Sequence, residues 1–133
     1  MNDNPIAKKT EDFAVRIINL WKFLVKEKHE YEISVQIKRS GTSIGANVVE
    51  GLFAQSKKDF LSKFHIALKE TSETQYWLRL LHRSDYLTEE QYNSLIMNAD
   101  EIGKILSKII ITTKKSLNKI NDEMINLEIQ ETI

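Results

Sequence analysis

The run from Ile33 to Gly51 constrains the fold more than any other stretch, because it carries two parallel stripes at helical spacing. At about 100° per residue, Ile33, Ile37, Ile44 and Val48 fall on one face. Gln36, Ser40, Ser43, Asn47 and Glu50 fall beside them at steps of 4, 3, 4 and 3. One stripe is apolar; the other consists of small or hydrogen-bonding residues. Between Glu32 and Glu50 the only charged residues are Lys38 and Arg39, while Val35, Ala46 and Val49 cover much of the remaining circumference. A helix this poor in charge is buried on more than one side, which in a chain of 133 residues implies a second chain packed against it.

The rest of the chain is also helical in pattern. It has one proline and four glycines, and no stretch alternates apolar and polar residues as a half-buried strand does. Phe13, Ile17, Leu20 and Leu24, with Trp21 beside them, predict a first helix from about Thr10 to Lys28. A short polar connection, Lys28 to Tyr31, leads to the second helix, which ends near Gly51 or a few residues later. Ser56, followed by Asp59, supplies an N-cap and a first-turn acid for a third helix with Phe60, Phe64, Ala67, Thr71, Leu78 and Leu81 on its inner face. Thr88 and Gln91 have capping-box spacing and open a fourth helix, which turns Leu95, Ile102, Leu106 and Ile109 inward and runs to about Leu117 or beyond. Short connections favour antiparallel neighbours. The expected fold is therefore all-α, an antiparallel up-down-up-down four-helix bundle over residues 1–120, followed by an acidic tail over 121–133. Ile120, Met124 and Leu127 allow that tail to continue as an amphipathic helix, whereas Asn121, Asp122 and the later acids equally allow a frayed end.

Charge and composition narrow the function classes. The 19 basic and 19 acidic residues cancel, so no global field draws in nucleic acid or an acidic membrane. Four of the acids follow Ile120, leaving 15 against 19 bases before it, so the bundle is mildly cationic. The chain has no cysteine, and its first residues lack a basic segment followed by an apolar run; the expected location is the cytoplasm. No fully apolar run exceeds three residues, as in Ile109-Ile110-Ile111, far short of the roughly 20 residues a bilayer requires, so no membrane association is expected.

The order of several motifs carries a resemblance. Gln36-Ile-Lys-Arg39-Ser40, Ser43-Ile44, Asn47-Val-Val-Glu50-Gly51, Ser56-Lys-Lys-Asp59-Phe60, Ser72-Glu73 and Tyr76-Trp77-Leu78 resemble the four-helix-bundle proteins of the 23S rRNA intervening-sequence family, over roughly Phe13 to Leu117. That resemblance implies a bacterial protein without an assigned biochemical role and a cyclic homo-oligomer, with a pentamer favoured. Accessory proteins of diversity-generating retroelements look like relatives of the same bundle, and they bind a reverse transcriptase and nucleic acid through a strongly basic surface. This chain departs from them in its neutral charge and in Leu52-Phe53-Ala54-Gln55, where many relatives carry an arginine ahead of the serine cap.

Two surfaces are candidates for function. The first comprises Gln36, Arg39, Ser43, Ala46, Asn47 and Glu50 on helix 2 with Glu73 and Trp77 on helix 3. It reads as an oligomer interface or polar network, with small residues at Ser40, Gly41, Ser43, Gly45 and Ala46 admitting another backbone and Arg39, Asn47 or Gln36 pairing with Glu50 or Glu73. Glu70 and Glu73 lack the histidine three residues on that a di-iron bundle site uses, and Glu50 is followed at that position by Phe53. The three histidines are scattered, and the glycines form no phosphate-cradling loop. No enzyme activity, metal or cofactor is expected.

The second surface is a lysine run. From Gly103 to Ile120 there are five lysines and no acid, and Lys104, Lys108, Lys115 and Lys119 share a face. Such a stripe can neutralise phosphates, and a ring of subunits would repeat it. No aromatic residue is interleaved for base stacking, and the acidic tail could fold back over the stripe. The expected role is a non-enzymatic oligomeric binding or scaffold protein whose leading partner is RNA or a ribonucleoprotein. The alternative is a protein-protein interaction scaffold that binds no nucleic acid.

Overall fold

The computed structural model describes residues 4–132, which form four helices: α1 (Pro5–Lys26), α2 (Ile33–Leu52), α3 (Lys57–Arg83) and α4 (Glu89–Thr132). There is no strand among the described residues. Each helix starts where a side chain can satisfy exposed amides. Asn4 Oδ1 accepts from the Ile6 and Ala7 amides, with Pro5 in the first turn, so α1 begins five residues before Thr10. Ser56 Oγ accepts from the Asp59 amide at 3.1 Å. The Thr88 and Gln91 side chains bond each other's amides at 2.9 and 3.1 Å, completing the expected capping box.

The start of α2 is less regular. Its N-cap residue, Glu32, makes no side-chain cap bond. The carboxylate of the largely buried Glu30 takes that role, accepting from the Ser34 amide at 2.6 Å and the Glu32 amide at 3.3 Å. His29, at φ 53°, turns the chain out of α1, and the Glu30 amide closes on the Leu24 carbonyl at 2.9 Å.

Residue pairs across each seam establish the antiparallel order. On α1 and α2, Thr10 approaches Gly45 and Ile17 approaches Gly41, while the Lys38 ammonium lies 3.8 Å from the centre of the Trp21 ring. On α2 and α3, Arg39 meets Glu73 and Gly51 meets Phe64. On α3 and α4, Thr71 faces Gly103, Gln75 bonds Asp100 at 2.7 Å, and His82 stacks on Tyr92 with centroids 4.3 Å apart. Lys9 to Glu101, at 2.8 Å, and Arg16 to Ser94, at 2.8 Å, close the ring of helices between α1 and α4. That last seam is the thinnest of the four, and α2 and α4 lie diagonally opposite with no close approach of their backbones.

The core contains Phe13, Ile17, Leu24, Ile37, Ile44, Val48, Phe64, Leu78, Leu81, Ile102 and Leu106, each at most 2% exposed. Fully burying one such side chain contributes roughly 1.5–3 kcal/mol. The structure shifts two predicted positions by one residue: Leu61 rather than Phe60 is buried on α3, and Ile110 rather than Ile109 on α4. In both cases the two residues are adjacent and apolar, so composition does not indicate which faces the core. Phe60 still packs on the core edge, stacked on Phe64 at 4.1 Å.

Helix α4 runs unbroken through 44 residues to Thr132. Leu117 is its last partly buried side chain, and residues 118–131 are exposed. The continuous helix carries this segment past the end of the bundle, so it does not fold back over Lys104, Lys108 and Lys115. Among the described residues, no helix is long and apolar enough to cross a membrane.

Candidate functional site

The polar stripe of α2 divides between core and surface. Ser40 is completely buried, with its hydroxyl 2.9 Å from that of Thr74 on α3. Gly41 and Gly45 meet α1 of the same chain: a Cβ on Gly41 would stand 2.7 Å from Ile17 Cγ2, and one on Gly45 3.2 Å from the Thr10 hydroxyl. These small residues admit a helix from within the bundle. Ser43 and Asn47 are half-buried, whereas Gln36, Arg39, Ala46 and Glu50 are exposed.

Arg39 is the centre of the expected network. Its guanidinium donates to the Glu73 carboxylate and lies 3.6 Å from Glu70 Oε2, beyond a normal hydrogen bond. The Arg39 side chain is 50% exposed and that of Glu73 35%, so the pair sits at the surface of the α2–α3 seam and not in a buried flank. The other expected pairings take different forms. Asn47 donates to the Ser43 carbonyl at 2.8 Å, one turn back on its own helix, and Glu50 pairs with Lys63 at 3.2 Å. Lysine, absent from the expected network, reaches Glu50 because α3 runs antiparallel beside it. Trp77 is half-buried against the core, and its indole N–H is shut from solvent without an acceptor among the described residues.

Outward from Arg39, α2 presents an apolar strip that the bundle does not cover. Val35, Ala46, Val49 and Phe53 are exposed and lie within about 60° of one another around the helix axis. Phe53, at 70% exposure, is the largest side chain of the strip. Sequence reasoning placed Phe53 only in the connection; continuing the Val35 spacing by 18 residues, five whole turns, would have found it.

The lysine stripe has a different setting. Lys104, Lys108 and Lys115 line an open groove of about 740 Å³ between α3 and α4, with Leu68, Gly103 and Ile111 supplying its apolar part. All three lysines are exposed, and none has an acidic partner among the described residues. Asp100, at one end of the groove, is engaged by Gln75. The cations beside the α1–α4 grooves differ: Lys8 pairs with Asp12, Lys9 with Glu101, and Arg16 bonds Ser94 and Asn98. Lys119 lies beyond the groove on the projecting part of α4. The groove itself had one sequence signal, the triple isoleucine 109–111, since a single core face cannot bury three consecutive residues.

No three His, Asp or Glu side chains converge as metal ligands among the described residues. The geometry is that of a helical body with an exposed apolar strip on α2 and a lysine-lined groove between α3 and α4.

A comparison with curated proteins finds no match. Among solved structures, the chain is similar to a crystal structure of a protein of unknown function from the S23 ribosomal protein family of Bacteroides thetaiotaomicron. The two are 55% identical, with a TM-score of 0.78; the match covers 79% of this chain and 97% of that one. The family model for the 23S rRNA-intervening sequence protein matches residues 2–108, and this chain belongs to that family.

Proposed function

We propose that the protein is a non-enzymatic, cytoplasmic homo-oligomer, with a pentamer favoured, that binds RNA or a ribonucleoprotein through the α3–α4 groove. The observation that carries this reading is the set of three unpaired lysines, Lys104, Lys108 and Lys115, along one groove, while the cations of the α1–α4 side are engaged by neighbours. From Lys104 to Lys115 the helix advances about 16 Å, enough to follow several phosphates of one strand. Each subunit supplies few charges, so binding per subunit is weak and salt-sensitive, and an assembly strengthens it by presenting the groove repeatedly. The exposed α2 strip, with Gln36, Arg39, Ser43, Ala46, Asn47 and Glu50 on or beside it and Glu73 and Trp77 across the seam, is the surface for assembly.

The test is anisotropy of a labelled structured RNA titrated with the full chain and with the double reversal Lys108→Glu, Lys115→Glu. Loss of binding in the reversal supports the groove. Unchanged binding removes it as the RNA surface. A second reading, a protein-binding scaffold without nucleic acid, is favoured by the zero net charge and by Phe53 in its apolar strip. Absence of RNA binding by the intact assembly at low salt would select it.

A further inference from the structure

The projecting end of α4 carries an apolar row that the bundle does not cover. Leu117, Ile120, Met124 and Leu127 follow at steps of 3, 4 and 3 and continue the core row of Leu106, Ile110 and Thr113 past the end of the bundle. Ile120, Met124 and Leu127 are 42–58% exposed. At about 100° per residue the row lies on the far side of α4 from Lys104, Ile111 and Lys115, so the lysine groove is not what covers it. Asp122, Ile125 and Ile129 lie on the groove side, Glu123 and Glu128 flank the row, and Glu131 stands in line with it. Most helical stability in proteins comes from packing of an amphipathic face, so this row needs a surface against it. The family match ends at residue 108, ahead of the segment.

We propose that the row is covered by the same row of a second copy of this chain, antiparallel to it, and that two rings of subunits join tail to tail in this way. The joining of rings rests on the cyclic assembly proposed above. Because the row continues the core face, a helix packed on it lies beneath the core. A second copy running parallel would have to pass its own α1–α3 through this bundle, whereas an antiparallel copy carries them away on the opposite side. The spacing is also self-complementary, as a two-fold contact requires, since steps of 3, 4 and 3 read the same in both directions. A two-fold axis at residue 122 sets Leu117 opposite Leu127 and Ile120 opposite Met124, each pair formed twice.

The same register brings the last turn of α4 to the end of the other copy's bundle. Glu131 falls opposite Thr113, which lines an open pocket of about 460 Å³ with Leu52, Lys57 and Phe60. Lys57 bonds the Ser116 hydroxyl at 2.8 Å and has no acidic partner among the described residues. It stands at the N-terminus of α3, where the helix dipole also favours a carboxylate. Each pair joins only the four apolar side chains of each row, too little surface to hold two single subunits together at micromolar concentration. A ring carries all of its tails on one side, so the pairs form together and strengthen one another.

Light scattering of the full-length protein tests the joining of rings. Ile120→Glu combined with Met124→Glu should halve the mass without loss of fold, because both side chains are exposed within the subunit. An unchanged mass would overturn the proposal, as it would if another protein covers the row. Ala46→Glu tests the ring separately: if it leaves the mass unchanged while the tail substitutions halve it, the α2 reading fails and this one stands. The register has its own test, since the chain has no cysteine. Full-length Ile120→Cys and Met124→Cys are prepared separately, mixed, oxidised and resolved on a non-reducing gel. The mixture should give a covalent dimer near twice 15.5 kDa that neither variant gives alone, and Asp122→Cys, on the far face, should give none with either. Glu131→Lys in both chains should weaken the band, and Lys57→Glu added to the same chains should restore it. Self-linking of Ile120→Cys as strong as the mixture would show parallel tails and overturn the proposal, as would a mixture without a cross-link.

Discussion

The hydroxyls of Ser40 on α2 and Thr74 on α3 lie 2.9 Å apart, and neither residue is accessible to solvent. Thr74 Oγ1 is also 2.8 Å from the Glu70 carbonyl, so the pair is anchored to the backbone of α3. Thr74→Val keeps the shape and leaves the Ser40 hydroxyl only its long bond, 3.4 Å, to the Ile37 carbonyl; the expected cost is about 1–3 kcal/mol in urea unfolding. Adding Ser40→Ala should make the double change cost less than the two single changes combined, by about 1 kcal/mol, because the poorly satisfied hydroxyl is then removed.

Two glycines should respond oppositely to alanine. At Gly41 the new Cβ would lie 2.7 Å from Ile17 Cγ2, in a side chain with no exposure, so Gly41→Ala should destabilise by about 1–3 kcal/mol. At Gly103 the nearest atom, Thr71 Cγ2, is 3.7 Å away. There the better helix former has room, and Gly103→Ala should stabilise by up to about 1 kcal/mol. Thermal unfolding of both variants checks the pair.

Ala46→Glu should leave a folded chain of 15.5 kDa by light scattering, with helical content unchanged, because Ala46 is exposed within the subunit and contributes to no core. An assembly of unchanged mass would mean that the α2 strip is not its contact surface.

The same variant makes the Arg39–Glu73 pair informative. In the isolated subunit both side chains are at least one-third exposed, and Glu73→Ala should cost no more than about 1 kcal/mol. If assembly covers the seam, the same change made in the assembled protein should cost about 3–5 kcal/mol, since Arg39 is then left buried and alone. Equal costs in the two backgrounds would place the pair outside the interface.

RNA affinity should fall by roughly 30- to 100-fold between about 50 and about 300 mM salt if three lysines each displace a counterion. A flat response would show that Lys104, Lys108 and Lys115 do not contact phosphate.

The helices were legible because their signals are local. Ser56 with Asp59, Thr88 with Gln91 and the row of Ile37, Ile44 and Val48 act over one to three turns, and each appears where its spacing placed it. Three features were not legible. Glu30 caps α2 from outside the helix, a role that depends on the path of the turn through His29. Lys63 was not foreseen for Glu50, because which carboxylate a cation meets depends on the rotation of α3 about its axis, and the neighbouring Leu61 and Phe60 show that this rotation was uncertain by one residue. The groove beside the lysines left a trace only in the triple isoleucine of α4; its other wall is Leu68 and Gln75 of α3, so periodicity in either helix alone does not outline it.

The thin seam between α1 and α4 bears on how the molecule folds. Every extensive contact joins helices that are consecutive in the chain, and only α1 with α4 links distant segments. Low contact order of this kind is associated with folding in microseconds to milliseconds. As the chain leaves the ribosome, α1 and α2 can close into a hairpin around Ile17 and Gly41 and then accept α3, before the lysine-bearing helix has emerged. The nascent protein thus has most of its core in place before it exposes the groove through which we propose it meets RNA.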